Sequence, residues 1–423
     1  MKPCTGDIHR ATLVAFAIGL AGCVPDPEHE VSLKASFWST PAIEQRVASE
    51  FEAAHPEIRV DLILTGGRYA EKVQSMIVAG NAPDVIMVTS AFYDDWAARD
   101  VLADITDLVA ELDSAGPFTA GPKEAFRFHD RYYAVPATFD ALVSITNLDA
   151  LDAVGFSLPD ETFTWAKLEA WGPRLSRLAG DSTAPTDYLC ALPPPAYFLV
   201  AYGVQCFDDP RRPRRVTVDS PIAVEAIEYW RRMHQRGWAV DRGTVLDQGE
   251  SEMFRDGRIA FTFWGRSVTT ILLQSRTLRW DVAPLPAGPR GRFVPYLAGA
   301  VGISRTTAHP TEARAYLRHY ASLAGARAFV EGSRGLPLRQ TPGGAALRAE
   351  ITVPASVESY YQAMAMETLA TVVQAPGKMA VEEMVSRRFE QALAAPGVPA
   401  AEIVAALVAD LNQWLARGER PSG

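Results

Sequence analysis

Three short segments place hydroxyl or amide groups beside an aromatic ring. They are Trp-Ser-Thr at 38–40, Thr-Gly-Gly-Arg-Tyr at 65–69 and Thr-Ser-Ala-Phe-Tyr at 89–93. Aromatic rings stack on the apolar faces of small molecules, and neighbouring polar groups orient the hydroxyls of those molecules. A sugar needs that mixture, so the segments together predict a carbohydrate site. Taken singly, each ring is as readily an ordinary core or rim residue.

The elements around these segments alternate between strand and helix patterns. Residues 31–37 alternate apolar and polar, 41–54 and 69–79 have apolar residues at helical spacing, and 58–64 and 83–88 read as strands. Thr40 is the expected N-cap of the first helix, with Pro41 at its first position. This order predicts a parallel sheet with right-handed crossovers. Ligands bind beyond the carboxyl ends of such strands, which is where all three segments lie.

The middle of the chain indicates a second lobe. Residues 142–147 and 258–264 are β-rich, Thr164 caps a helix, and 221–235 form an amphipathic helix; another β-rich run covers 296–304, and helices dominate from 311. A chain of 423 residues is expected to form more than one compact domain. Its formal charge of -9 argues against nucleic acid as a partner. The basic cluster Arg211–Arg215 is therefore interpreted as a solvated loop.

The N-terminus has the layout of a secretory signal peptide. Lys2 and Arg10 precede an apolar stretch at 11–20, which is too short to span a bilayer as a mature helix. The following Leu20-Ala-Gly-Cys23 resembles the lipobox of bacterial lipoproteins, in which Cys23 is lipidated and becomes the first mature residue. Residues 1–22 would then be the signal peptide and 23–30 an acidic tether. An ordinary signal peptide that contains a cysteine is the alternative.

Two further cysteines, Cys190 and Cys206, remain in the expected mature chain. In an exported protein an even pair is compatible with a disulfide. Two buried free thiols are the equal alternative, and the sequence leaves both open.

Motifs of catalysis and metal binding are not found in the sequence. It contains neither Gly-x-Ser-x-Gly nor His-Glu-x-x-His, and its seven histidines are scattered without metal-ligand spacing. Adjacent carboxylates at Asp94 and Asp95 could serve a glycosidase, but at a helix start they more often complement the helix dipole. The expectation is a protein with no enzymatic activity, cofactor or metal.

Several sequence blocks stand in an order that carries a family resemblance. They are 50–60, 69–72 with 79–85, 102–108, 133–136 with Asn147, 254–260 with Trp264 and Gly265, 282–288, 335–339, and the helices from 360 to 414. In this order they resemble the extracellular solute-binding proteins of ABC transporters, in the family that binds sugars and oligosaccharides. The resemblance covers nearly all of the expected mature chain.

The resemblance implies a two-lobed, periplasmic-binding-protein-like α/β fold, in which each lobe is a mainly parallel sheet flanked by helices. The N-terminal lobe would comprise 31–138 and 286–336, and the C-terminal lobe 139–285 and 337–423. Three crossovers, near 136–140, 284–286 and 335–340, would form the hinge that closes on a ligand.

The implied function is that of the substrate-binding component of an ABC importer. The expected partners are a carbohydrate, the permease subunits and the membrane, through lipid on Cys23, with the protein itself a monomer. Its location would be the periplasmic side where the cell has an outer membrane, and the extracellular face otherwise.

Fourteen residues are predicted to contact the ligand. Trp38, Trp264 and Tyr296 would stack on pyranose faces, while charged side chains would hydrogen-bond to hydroxyls because charge-assisted bonds are the stronger ones. The charged residues are Glu44, Arg68, Asp140 and Arg334. The others are Ser39, Thr40, Tyr69, Ser90, Tyr93, Thr138 and Tyr197.

Departures from the family pattern leave the ligand open. No aromatic precedes Asn147 in the run 145–147, and Trp264 comes before Gly265 instead of after a glycine. The alternatives are a non-sugar solute, such as ferric iron, a polyamine or a glycerol-phosphate-like molecule, or a role in presenting ligand to a membrane sensor. Ferric iron would use Tyr360 and Tyr361, which otherwise pack on a helix face. A secreted glycosidase is the remaining alternative.

Overall fold

Two β-sheets and a short hairpin organise the chain in the computed structural model, which describes residues 30–38, 41–66, 68–177 and 183–417. The first sheet has the order β12-β11-β3-β1-β2, with β6 also paired to β11, and the second has the order β10-β7-β9-β8. The strands are β1 Val31–Trp38, β2 Ile58–Thr65, β3 Val85–Thr89, β4 Arg127–Phe128, β5 Arg131–Tyr132, β6 Ala134–Ala141, β7 Val143–Asn147, β8 Tyr188–Ala191, β9 Ile259–Trp264, β10 Trp280–Ala283, β11 Val294–Ile303 and β12 Leu369–Ala370.

Helices cover the sheets, and one of them begins at the cap that the sequence predicts, Thr164. Thr164 accepts a hydrogen bond from the backbone N–H of Lys167, and Ser220 one from that of Ala223, directly before Pro221. The helices are α1 Pro41–Ala54, α2 Tyr69–Val78, α3 Tyr93–Ala98, α4 Thr106–Ala115, α5 Ala120–Glu124, α6 Leu148–Ala153, α7 Trp165–Leu175, α8 Pro195–Ala201, α9 Pro221–Gln235, α10 Arg242–Gln248, α11 Glu250–Arg255, α12 Thr269–Leu272, α13 Pro310–Tyr320, α14 Leu323–Glu331, α15 Pro342–Ala349, α16 Glu358–Ala365, α17 Lys378–Ala394 and α18 Ala400–Ala416.

The predicted parallel arrangement of the first three strands is confirmed. β1 is parallel to both β2 and β3, with Val31 opposite Ile58 and Ala35 opposite Val85. Their carboxyl ends therefore meet at one edge of the first sheet. β11 is antiparallel to β3 and to β6, so the second half of β6 and the first half of β11 extend beyond that same edge.

The chain passes between the sheets at three places. The first is Leu142, which separates β6 from β7 and donates its N–H to Pro295 O at 3.0 Å. The second is the loop from β10 to β11. The third follows β12, which pairs with β11 before the chain enters α17, and α17 packs on α8, α9 and α18.

The third crossing differs from the predicted one at 335–340. Thr119 N–H donates to Leu338 O at 2.8 Å, and Gln340 N–H donates to Pro117 O at 2.7 Å, so this stretch is fixed to the first lobe. α16 packs on β6 and α5. Residues 337–340 and α16 therefore contact the first lobe, whereas the predicted division placed them in the C-terminal lobe. Ser356 between them donates to Asp281 of β10, so the segment also touches the second sheet.

Aromatic side chains fill the core of the second lobe. The ring of Trp165 lies 5.3 Å from that of Phe198 and 5.1 Å from that of Phe263, and Tyr229 donates its hydroxyl to Trp165 O at 3.0 Å. Fully buried aromatic residues contribute large apolar areas, and paired rings add specific contacts. The second sheet is thus covered by closely packed aromatic side chains.

Cys190 and Cys206 are free and buried. Burial raises the pKa of the Cys206 thiol to about 12, and it also raises the pKa of Cys190. Of the two alternatives that the sequence leaves open, the structure shows the free thiols.

The signal peptide, Cys23 and tether residues 24–29 lie outside the described residues. Among the helices that the structure does describe, none is both long and apolar enough to cross a membrane.

Candidate ligand-binding site

An exposed indole stands at the carboxyl edge of the first sheet. Trp38 ends β1 with 47% of its surface exposed, and its ring stacks on Tyr69 at 6.3 Å between centroids. Tyr69 is held rigidly because its hydroxyl lies 3.0 Å from Ser36 O and 2.9 Å from Met87 O. Trp38 is thus a supported aromatic surface that faces solvent. The neighbouring predicted residues Ser39 and Thr40 lie outside the described residues.

Glu44 lies in the first turn of α1 and is only 2% exposed. The hydroxyl of Tyr320 is 3.1 Å from both of its carboxyl oxygens. Burial raises the pKa of Glu44 to about 8, against the opposing effects of the Tyr320 hydrogen bond and the charge of Arg334. Glu44 in turn contributes to the raised pKa of Tyr69, which places the carboxyl close to the Trp38–Tyr69 pair.

Asp140 lies where the first lobe meets the second, and we call this region the junction. It lies in β6, and its Oδ1 accepts the backbone N–H of Ser267 at 3.2 Å. Burial raises the pKa of Asp140, while hydrogen bonds from Ser267 and the charge of Arg334 act in the opposite direction. The charge of Arg334 therefore acts on the pKa of both Glu44 and Asp140, and a shared role of these three residues in ligand binding stays a prediction.

The end of β9 approaches Asp140 closely. A Cβ added at Gly265 would lie 2.2 Å from the Cβ of Asp140, so only glycine permits this approach. The preceding Trp264 lies opposite Val143. Its side chain packs against the hydrophobic core around the first sheet and also against the aromatic core of the second lobe. The next residue, Arg266, donates from Nε to Gly335 O at 3.1 Å. Trp264 thus sits at the boundary between the two lobes.

Thr138 and Ser90 have structural partners at the strand ends. The backbone N–H of Ala298 donates to Ser90 Oγ at 3.2 Å. Thr138 lies opposite Gly299, where an added Cβ would approach Thr138 Oγ1 to 2.5 Å. Both side chains help to align β11 with its neighbours.

Tyr296 points to the opposite face of the first sheet from Asp140. It pairs with Ala141, and side chains alternate along a strand, so its ring shares a face with Phe139, on which it stacks at 5.0 Å. Its hydroxyl donates to Gln374 Oε1 at 3.4 Å. Tyr296 is only 6% exposed, and this placement does not support the predicted stacking on a sugar.

Two other predicted residues are engaged away from the junction. Tyr93 is fully buried, donates its hydroxyl to Phe126 O at 2.7 Å and accepts the N–H of Tyr133 at 3.1 Å. Arg68 is exposed and forms a surface ion pair with Glu71. Neither contact supports a role in ligand binding.

A second charged group at the lobe junction was missed from the sequence. Lys378, buried at the start of α17, has its Nζ 3.8 Å from Glu382 Oε1 and 5.9 Å from the ring centroid of Tyr296. Burial raises the pKa of Asp94 to about 7, with the charge of Lys378 opposing the rise. The predicted Tyr197 is close enough to Glu382 for the carboxylate to raise its pKa further above the value set by burial. In the sequence, only the acidic pair at 94–95 indicated that a buried cation such as Lys378 would be needed here.

The arrangement suits polar recognition rather than metal binding or hydrolysis. Within the described ranges, no group of three or more His, Cys, Asp or Glu side chains is placed to hold a metal ion. Tyr360 is buried, and the guanidinium of Arg348 covers the ring of Tyr361 at 3.7 Å. Buried carboxyls, cations and a supported indole can instead hydrogen-bond and stack on a polar organic ligand.

The sequence matches the family model of bacterial extracellular solute-binding proteins over residues 37–327. The chain therefore belongs to this family, whose members bind solutes and are not enzymes. A search of curated proteins gives no significant match.

Solved structures share the two-lobed α/β fold. An ABC substrate-binding protein from Listeria monocytogenes, in complex with cycloalternan, has a TM-score of 0.80 at 20% identity, covering 91% of this chain and 99% of that one. The GacH receptor of Streptomyces glaucescens, solved unliganded and with acarbose, has a TM-score of 0.76 at 19% identity, covering 91% and 98%. UgpB from Mycobacterium tuberculosis, in complex with glycerophosphocholine, has a TM-score of 0.75 at 19% identity, with the same coverage. At these identities the likeness concerns the fold, which is the predicted two-lobed α/β fold. The predicted mainly parallel sheet is wrong for the second lobe, because β7 is antiparallel to both β9 and β10.

Proposed function

We propose that this protein is the substrate-binding component of an ABC importer, and that it captures a sugar or oligosaccharide between its lobes. The supporting observations are the exposed Trp38 indole at the carboxyl edge of the first sheet and the polar side chain of Asp140, which accepts the N–H of Ser267 where the lobes meet. An indole stacks on a pyranose face, and the charged groups beside it hydrogen-bond to ring hydroxyls.

The bound molecules of the structural neighbours support this ligand class. Cycloalternan and acarbose are carbohydrate ligands, whereas glycerophosphocholine carries a phosphate. A protonated carboxyl can donate one hydrogen bond and accept others, so a buried carboxyl such as Glu44, with a pKa of about 8, suits sugar hydroxyls.

Transport would proceed by closure of the lobes. Asp140 and Ser267, and Arg266 and Gly335, already join the two sides of the junction. A ligand that contacts both lobes favours the closed state by its differential affinity, and a permease would recognise that state. Lipid on Cys23 would keep the protein beside the permease and raise its effective concentration.

Calorimetry against a panel of linear and cyclic oligosaccharides tests the ligand class. We expect Trp38→Ala and Trp264→Ala each to weaken sugar binding about tenfold or more, since aromatic contacts contribute on the order of 1 kcal/mol or more. Leu246→Ala, at an exposed position on α10, is the matched control and should bind as the native protein does. Unchanged affinity in both tryptophan variants would remove the indoles from the site.

Two further measurements test closure and anchoring. Small-angle scattering should show compaction on saturation with a tight ligand, and its absence would reject the hinge. Cys23→Ala should release a protein that still binds sugar but supports little transport in the cell.

A further inference from the structure

A cavity of about 550 Å³ opens beside the basic loop that the sequence suggested was merely solvated. Its walls include Phe128 and His129 from the β4–β5 turn, Arg211, Arg212 and Arg214 from the loop, and Trp414 from α18. We call it the arginine pocket. It lies apart from the carboxyl-lined junction, and its positive charge contrasts with the formal charge of -9 for the whole chain.

The loop is held in shape by its own carboxylates. Asp208 Oδ1 accepts the backbone N–H groups of Arg214 and Arg215 at 3.0 and 3.1 Å, and Asp209 Oδ1 accepts that of Arg211 at 2.8 Å. Because these carboxylates accept hydrogen bonds from backbone N–H groups, they are not the partners of the guanidinium groups in the loop.

The three arginines of the pocket divide into one anchor and two unpaired groups. Arg211 Nη2 donates to Glu124 O at 2.9 Å and lies 3.5 Å from Glu124 Oε2. The guanidinium groups of Arg212 and Arg214 have no hydrogen bond or ion pair with any residue in the described ranges. Arg211 thus fixes the loop against the first lobe, and the other two guanidinium groups remain without a partner among the described residues.

Aromatic side chains border these charges. Trp414 is packed on Phe207 at 5.4 Å, and Phe128 is packed on His129 at 4.4 Å. Planar guanidinium forks match phosphate oxygens in pairs, and several together suit a dianion better than a single carboxylate. Aromatic walls add affinity for a planar or apolar body.

We propose that the arginine pocket binds the phosphate group of an organic phosphate whose apolar or planar body lies against Phe128. Arg212 and Arg214 contact the phosphate. The phosphate belongs either to a small soluble molecule or to a lipid headgroup. This site is independent of the proposed sugar site.

Calorimetry of the purified full chain with phenyl phosphate tests the site. We expect binding that inorganic phosphate competes only weakly, because the free ion lacks the ring. Arg212→Gln and Arg214→Gln should each weaken binding about tenfold, as loss of a charge-assisted hydrogen bond requires. Arg215→Gln is the matched control: it removes the same charge from the same loop but lies outside the pocket wall, and it should change affinity less than twofold.

Failure of phenyl phosphate to bind, or equal weakening by Arg215→Gln, would overturn the proposal. Sedimentation with phosphatidylcholine vesicles, with and without phosphatidylglycerol, then separates the two sources. Binding to anionic vesicles that phenyl phosphate displaces, and that Arg214→Gln but not Arg215→Gln removes, assigns the headgroup. Binding of phenyl phosphate without vesicle binding assigns a soluble molecule. Sugar binding should be native in all three variants, which keeps this test separate from that of transport.

Discussion

The carboxyl-lined junction and the arginine pocket both form where the lobes meet, yet they treat charge in opposite ways. At the junction, Glu44 is withdrawn from solvent and Asp140 is half-buried, and burial raises the pKa of each. In the pocket, Arg212 and Arg214 keep their charge without an ionic partner among the described residues. Buried carboxyls that hold their protons can donate hydrogen bonds to neutral hydroxyls, whereas unpaired guanidinium groups attract anions. One fold can therefore offer two ligand chemistries without mutual interference.

The largest expected effect tests whether the junction carboxyls are neutral. Glu44 has a pKa of about 8 in the folded protein against 4.5 as its ordinary value, so the native state holds a proton that the unfolded chain releases. Its contribution to stability should therefore fall as pH rises from 4.5 to 8. Urea unfolding should show that Glu44→Gln is more stable relative to native at pH 8 than at pH 5, by up to about 4 kcal/mol.

Glu71→Gln is the control for this measurement, because Glu71 is exposed on α2 and forms only a surface ion pair. It should leave the pH dependence of unfolding as it is in the native protein. Parallel pH profiles for native and Glu44→Gln proteins would show that the carboxyl is charged, and would remove the contrast with the pocket.

A second change tests the close approach of the lobes at Asp140. Gly265→Ala places a methyl group where an added Cβ lies 2.2 Å from Asp140 Cβ, so either β9 or β6 must shift. We expect a loss of about 1–3 kcal/mol in the free energy of unfolding, together with weaker sugar binding. Gly397→Ala, with no atom within 4 Å of the new Cβ, should be neutral. Native stability in Gly265→Ala would mean that the junction is looser than the structure shows.

The smallest expected effect sharpens the contrast between neutral and charged ligands. Raising the salt concentration from about 0.1 M to 1 M shortens the screening length from about 10 Å to 3 Å. Binding of phenyl phosphate in the arginine pocket should weaken severalfold over this range, while sugar affinity at the junction should stay constant. Calorimetric titrations of both ligands at the two concentrations check this. Equal salt dependence for both ligands would remove the distinction between the sites.

Local patterns were enough to predict the first sheet and several helices. The alternation in β1, the spacing of Ile43, Val47 and Phe51, and the cap at Thr164 depend on residues a few positions apart. These features could be predicted because they depend only on residues that are close in the sequence. The same reasoning failed at 335–340, where Pro and Gly suggested a hinge but hydrogen bonds to Pro117 and Thr119 fix the segment.

The site was only partly predictable because its members depend on distant partners. The strand pattern does not show on which face Tyr296 falls, and its register with β6 turns it away from Asp140. Asp94 resembles a surface carboxylate in sequence, but Lys378 lies beside it in the fold. By contrast, Glu44 follows the end of a strand that the sequence does predict, Asp140 lies beside the predicted first crossing, and burial raises the pKa of both carboxyls.

The rate at which the two buried thiols are alkylated reports how often the second lobe opens. Cys190 lies in β8 with no exposed surface, and Cys206 lies in the same aromatic core. The reactive form of a cysteine is the thiolate, so a raised pKa and burial together prevent alkylation until the lobe opens. The labelling rate of the native chain therefore reports the opening of this lobe, without any engineered probe. A ligand that makes this lobe open less often would slow the alkylation of both thiols in proportion.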